Sequence, residues 1–240
     1  MRDVVDRVVV PFLSQVDSVL GNGYSAVLYG SAARADFAPG RSDLNLMLIT
    51  DDLSPARLSG LGGAFAAWRK SGYEPPLVIL RSEWARATDV FPIEITDMRR
   101  GYEVLRGPDP VAGLHVAPAD LRQALEREFR GKLLRLRQGY VAAAGDPAAL
   151  GLLAARSSGT FLVLLRALLV LLDRPVPSEQ VEVAAAAAAA MGMDGEPLLN
   201  VVRHRAERGW RCSSVEFEGY LDAVARATTF LDQLQLGDLR

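Results

Sequence analysis

Apolar residues at Val5, Val8, Val9, Phe12, Val16, Val19 and Leu20 recur near the helical period and predict a helix from Arg2 to about Leu20, with Pro11 a possible kink and Gly21-Asn22-Gly23 its end. The pattern then changes. Ala26 to Tyr29 reads as a strand, Gly30-Ser31 as a turn, Ala32 to Ala35 as a short helical or coiled segment, Pro39-Gly40 as a second turn, and Asp43 to Ile49 as a second strand. Strand alternation puts Asp43 and Asn45 on one face, with Leu44, Leu46 and Leu48 on the other. Two polar groups thus point the same way beside a glycine turn, and the opposite face is apolar enough to pack on helices.

Leu53 to Lys70 opens with Ser54-Pro55 and carries Leu58, Leu61, Phe65 and Trp68 at helical spacing. Leu77 to Leu80 reads as a buried strand, and Ser82 to Phe91 as a helix capped by Ser82. In Phe91 to Met98, Ile93 and Ile95 alternate with Glu94 and Thr96, which predicts a third strand with Glu94 on its polar face. Tyr102 to Leu105 adds a short strand before a linker at Gly107-Pro108-Asp109-Pro110.

From Ala117 onward Leu, Ala and Arg dominate and strand signals vanish. Helices are expected from Pro118 to about Ala144, Ala148 to Asp173, Ser178 to Met191, Pro197 to Arg208 and Ser214 to Leu236, with short turns that favour antiparallel packing. The alanine run Ala184 to Ala190 marks close helix packing, because alanine favours helix and leaves no bulk. Two domains follow: residues 1–108, an α/β (α+β) domain with a mixed sheet, and residues 117–240, an all-α helical bundle.

With 240 residues, the chain is long enough for two small cores. It is 50% hydrophobic and 23% charged, the balance of an ordinary globular protein. The net charge of -2 argues against bulk attachment to long nucleic acid. A single cysteine, Cys212, excludes an intramolecular disulfide and a cysteine zinc cluster, and fits a reducing cytoplasm. Asp3, Asp6 and Arg7 interrupt the apolar N-terminus, which reads as an amphipathic helix rather than a signal peptide. The most apolar run, Phe161 to Leu172, is short for a bilayer and broken by Arg166, so a buried core helix is expected and no membrane partner.

A strand ending in Gly30-Ser31, with Asp43 following twelve residues after Ser31, resembles the signature of the nucleotidyltransferase fold shared by DNA polymerase beta, the aminoglycoside nucleotidyltransferases and the minimal nucleotidyltransferases. Gly30, Ser31, Arg34, Ser42 and Asp43 match that pattern. Asn45 departs from it, standing where the family carries its second metal-binding carboxylate. The resemblance implies a magnesium-dependent transferase that binds ATP or another NTP and passes its nucleoside monophosphate to a small-molecule or protein hydroxyl.

On the same resemblance Asp43, Asn45 and Glu94 hold Mg²⁺, Asp43 and Glu94 are catalytic, and Gly30, Ser31, Arg34, Ser42 and Lys132 contact the nucleotide. Asp97 is the reserve for the third acid. Each residue has a plainer reading: Gly-Ser is a common turn, one acid in a short strand is usually a solvated charge, and Lys132, Arg135 and Arg137 also suit a solvated basic face. Asn45 keeps a second function open, a catalytically silent nucleotide-binding or scaffold protein. A homodimer or protein partner is compatible with either. His115 and His204 have no partners at metal-ligand spacing, and Trp68, Trp84 and Trp210 read as packing residues.

Overall fold

The computed structural model describes residues 2–34, 43–235 and 237. The chain divides into two compact units, Met1–Val116 and Ala117–Arg240.

The first unit is built on a sheet of order β3-β2-β1-β4 among the described residues. Strand β1 (Tyr24–Tyr29) pairs antiparallel with β2 (Asn45–Thr50) and with β4 (Tyr102–Arg106), whereas β2 pairs parallel with β3 (Leu77–Leu80). Alternation along β1 and β2 divides the apolar side chains between two cores. Tyr24, Ala26, Leu28, Leu44, Leu46 and Leu48 join the larger core, which takes in Phe12, Val16, Leu61 and Trp68 from helices α2 (Val10–Leu20) and α3 (Pro55–Arg69). Val27, Met47 and Ile49 turn the other way, onto Trp84, Ile95 and Met98. Phe12 anchors the first core through edge-on contacts with Phe65 and Trp68, and burial of such a ring contributes ~2–3 kcal/mol.

The first helix is not uniform. A turn, α1 (Arg2–Val4), leads into a π-helical stretch at Val5–Val9 before α2 begins. Pro11, which has no N–H and whose ring crowds the carbonyl four residues back, follows this wide turn in the first turn of α2.

Two expectations are corrected here. Phe91 to Met98 is not a strand: Pro92–Met98 forms helix α5, with Pro92 in its first turn. Its buried set, Pro92, Ile93, Ile95, Thr96 and Met98, wraps one side of a helix, and Ile93/Ile95 alternation is too short a run to separate the two periods. The helix expected from Ser82 to Phe91 shrinks to α4 (Arg81–Trp84). Ser82 lies inside it, and the Glu83 carboxylate accepts from the Leu80 N–H at 3.1 Å, where a cap from Ser82 was expected.

The second unit is helical: α6 (Pro118–Ala143), α7 (Pro147–Leu171), α8 (Gln180–Ala190), α9 (Glu196–His204) and α10 (Ser214–Gln233). Asp146 caps α7 by accepting from the Ala148 N–H at 2.9 Å, and Ser213 with Glu216 forms a capping box on α10. Helix α7 starts well before the apolar run and is long and apolar enough to cross a bilayer by length and composition. Leu150, Phe161, Leu165 and Leu168 are nevertheless buried within the unit, and Phe161 meets the rings of Phe129 and Tyr220 edge-on. Ala184, Ala187 and Ala188 are the buried face of α8, the close packing expected of an alanine run.

Candidate active site

The end of β1 is where polar chemistry gathers in the first unit. Gly30 opens a single 3-10 turn, Gly30–Ala32, with φ of 72°, and its carbonyl accepts from the Ala33 and Arg34 N–H groups at 3.1 and 3.2 Å. Across the ladder Tyr29 pairs with Asn45. The Asn45 side chain consequently lies against the turn: a Cβ on Gly30 would stand 2.7 Å from Asn45 Nδ2. Glycine is favoured here by the left-handed backbone, and an added Cβ would also push the Asn45 amide aside.

Asp43 precedes β2. Its Oδ1 accepts from its neighbour Leu44 N–H at 2.9 Å and from Glu74 N–H at 3.3 Å, which pins the start of β2 to the segment after α3. Burial raises the pKa of the Tyr29 phenol first, then the negative charges of Glu94 and Asp43 raise it further. Glu94 is exposed on α5 instead of standing on a strand. Tyr29, on the same sheet face as Asn45, is a neighbour that sequence reasoning did not single out.

Arg34 is engaged by Asp97: Nη1 lies 3.0 Å from Asp97 Oδ2, with both side chains largely buried at 17% and 12% exposure. The stem of Arg34 rests on Gly101, where a Cβ would approach Cγ to 2.7 Å. Asp97, the reserve third acid, is therefore a partner of Arg34 in this structure. Ser31 is half-buried in the turn, and Ser42 lies outside the described residues. In the helical unit Lys132 donates to Thr160 Oγ1 and, at 3.4 Å, to the Ser157 carbonyl.

Comparison with solved structures adds the fold relationship. The chain is similar to the crystal structure of a spectinomycin adenyltransferase from Enterococcus faecialis with ATP and spectinomycin, with a TM-score of 0.60 and 12% identity over 93% of this chain and 98% of that one. The chain has a nucleotidyltransferase-like fold. No family model and no curated protein matches the sequence.

Whether this site suits a divalent ion depends on its donors. Asp43, just ahead of β2, and Glu94 on α5 carry hard carboxylate oxygens, and Asn45, the first residue of β2, adds an amide oxygen. No group of three or more His, Cys, Asp or Glu side chains positioned to hold a metal occurs among the described residues. Two carboxylates suit Mg²⁺, which takes one or two from protein and completes its shell with water and substrate phosphates.

Proposed function

We propose that the chain transfers a nucleoside monophosphate from an NTP, ATP being the first candidate, to the hydroxyl of an acceptor. The observation that carries this reading is the Gly30-Ser31 turn at the end of β1, with Asn45 beside it and Asp43 just ahead of the paired strand, in a fold similar to that of an adenyltransferase solved with ATP. Bound Mg²⁺ would neutralise phosphate charge and orient the triphosphate, held by Asp43 with Glu94 and the Asn45 amide oxygen.

The remaining work falls to the chain. Gly30 lets the phosphates approach the backbone, and the first N–H groups of the turn, with the Ser31 hydroxyl, donate to their oxygens. Glu94 accepts the proton of the attacking hydroxyl. The acceptor oxygen bonds to the α-phosphorus, the bond from that phosphorus to the bridging oxygen of the β-phosphate breaks, and pyrophosphate leaves with the electron pair. Arg34, held by Asp97, supports the turn with positive charge. Ser42 remains assigned to the nucleotide by its sequence position.

A second reading, nucleotide binding without turnover, is favoured by Asn45, whose amide nitrogen rather than a carboxylate faces Gly30. Labelled ATP separates the two. Transfer of label to an acceptor, or slow release of labelled AMP to water, that disappears in Asp43→Ala supports the transferase. Wild type and Asp43→Ala equally inert, with turnover appearing in Asn45→Asp, establishes the silent reading.

A further inference from the structure

Arg34 belongs to two elements at once. Its backbone N–H donates to the Gly30 carbonyl at 3.2 Å and closes the turn at the end of β1, while its guanidinium reaches α5. There Nη1 lies 3.0 Å from Asp97 Oδ2 and 3.5 Å from the Asp97 carbonyl oxygen, with both side chains largely buried. The ladder between β1 and β4 ends with Tyr29 opposite Tyr102, so Gly30 and Gly101 are the first residues beyond it on the two strands. The Arg34 stem lies over Gly101, where an added Cβ would stand 2.7 Å from Cγ and 3.4 Å from Cδ.

The backbone does not account for this glycine. Gly30 has a left-handed φ, whereas that of Gly101 lies outside the left-handed region. What the missing side chain at 101 provides is room for the Arg34 stem, and so for the contact of its guanidinium with Asp97. Glu94 precedes Asp97 by three residues on α5, which makes the two acids neighbours along the helix surface. A carboxylate that accepts a proton works only within a narrow range of positions, and a displacement of about 1 Å can cost on the order of a hundredfold in rate. The Arg34–Asp97 contact ties the helix that bears Glu94 to the turn that bears Gly30 and Ser31.

We propose that Asp97 and Gly101 are positioning residues: through the Arg34 side chain they set α5, and Glu94 with it, against the Gly30–Ala32 turn. The role rests on the transferase reading above, and it gives Arg34 the task of holding two elements together instead of contacting phosphate.

One arm of the test is independent of turnover and follows backbone amide resonances of the full chain. Gly101→Ala should shift residues 30–34, which are remote from it in sequence, and Arg34→Ala should shift residues 94–98. With the Arg34 stem already removed, adding Gly101→Ala should leave residues 30–33 where Arg34→Ala alone put them. The other arm measures release of labelled AMP from ATP and binding of a non-hydrolysable ATP analogue, both with Mg²⁺. Analogue stoichiometry counts folded chains, so kcat is expressed per binding site and a loss of folded protein does not lower it. Asp97→Asn and Gly101→Ala should each reduce kcat on the order of ten- to a hundredfold and change the analogue Kd less than about threefold. Gly101→Ala should cost no further kcat once Arg34→Ala is present. Unmoved amides at residues 30–34 in Gly101→Ala, or kcat losses in Gly101→Ala and Arg34→Ala that multiply, overturn the proposal. A loss of analogue affinity in Arg34→Ala that Asp97→Asn and Gly101→Ala do not share makes Arg34 a phosphate contact and overturns it too. If wild type releases no AMP while the reciprocal amide shifts appear, the coupling of turn to helix stands and the transferase reading fails.

Discussion

The Asn45 amide lies across Gly30, so close that a single methyl group on the glycine would stand 2.7 Å from Asn45 Nδ2. Two costs should therefore appear together in Gly30→Ala: the left-handed φ of 72°, and the collision with the amide. Their sum is expected to destabilise the first unit by ~2 kcal/mol in urea denaturation. Adding Asn45→Ala to Gly30→Ala should recover part of that loss and leave the backbone component. No recovery would mean that the amide has room to move.

Arg34 and Asp97 form the most buried of the salt bridges described here. Removing one partner strands the other, so Asp97→Ala should cost ~2–3 kcal/mol, more than a surface pair is worth. The Asp97 Oδ1 atom is buried without a hydrogen-bond partner among the described residues, so Asp97→Asn is not a neutral exchange either. A double-mutant cycle with Arg34→Met measures the coupling. A coupling energy near zero would show that the pair neither stabilises the turn nor fixes Arg34 beside it.

Cys212 is fully buried, and burial followed by the Glu216 charge pushes its thiol up to about 11 from 9.0. The folded chain then keeps a proton that the unfolded chain has released. The corresponding stability is whole below pH 9 and is lost as pH rises toward 11. Stability against pH between 9 and 10 should therefore slope downward in wild type and more gently in Cys212→Ala, whatever the variant's absolute loss. Tyr24 and Tyr220 are raised chiefly by burial and add a further decline above pH 10. Equal slopes in the two proteins would contradict a buried, protonated thiol.

Much of this fold was legible from periodicity. The alternation from Leu44 to Leu48 separates the face that packs on α2 and α3 from the face that carries Asn45, and each long helix of the second unit follows its apolar spacing. The failures fall where the pattern is short. Two isoleucines one residue apart suit a strand or a helix, and Pro92, which presets a first helical turn, was the deciding signal for α5. The Ser82 cap failed because Glu83 reaches back to Leu80 and starts the helix one residue earlier. Local sequence located the turn at Gly30-Ser31 and the start of β2 near Asp43, but neither the placing of Glu94 on a helix nor that of Tyr29 beside Asn45 is written in it. Both depend on tertiary relationships. The Arg34–Asp97 pair was hidden for the same reason, because its members are far apart in the chain.

The Asn45→Asp variant should distinguish metal affinity from catalysis. A carboxylate in place of the amide adds a third negative charge near Asp43 and Glu94, so Mn²⁺ binding measured by electron paramagnetic resonance should tighten about tenfold or more. Unchanged Mn²⁺ affinity would mean that position 45 does not face the ion.

The most direct test of the account is calorimetric titration of the whole chain with a non-hydrolysable ATP analogue, with and without Mg²⁺, in wild type and Asp43→Asn. The expected result is binding in wild type that weakens at least about tenfold when Mg²⁺ is withheld or when Asp43 loses its charge. Binding indifferent to both changes, or no binding at all, would contradict a nucleotide site organised by Asp43 and Glu94 at the end of β1.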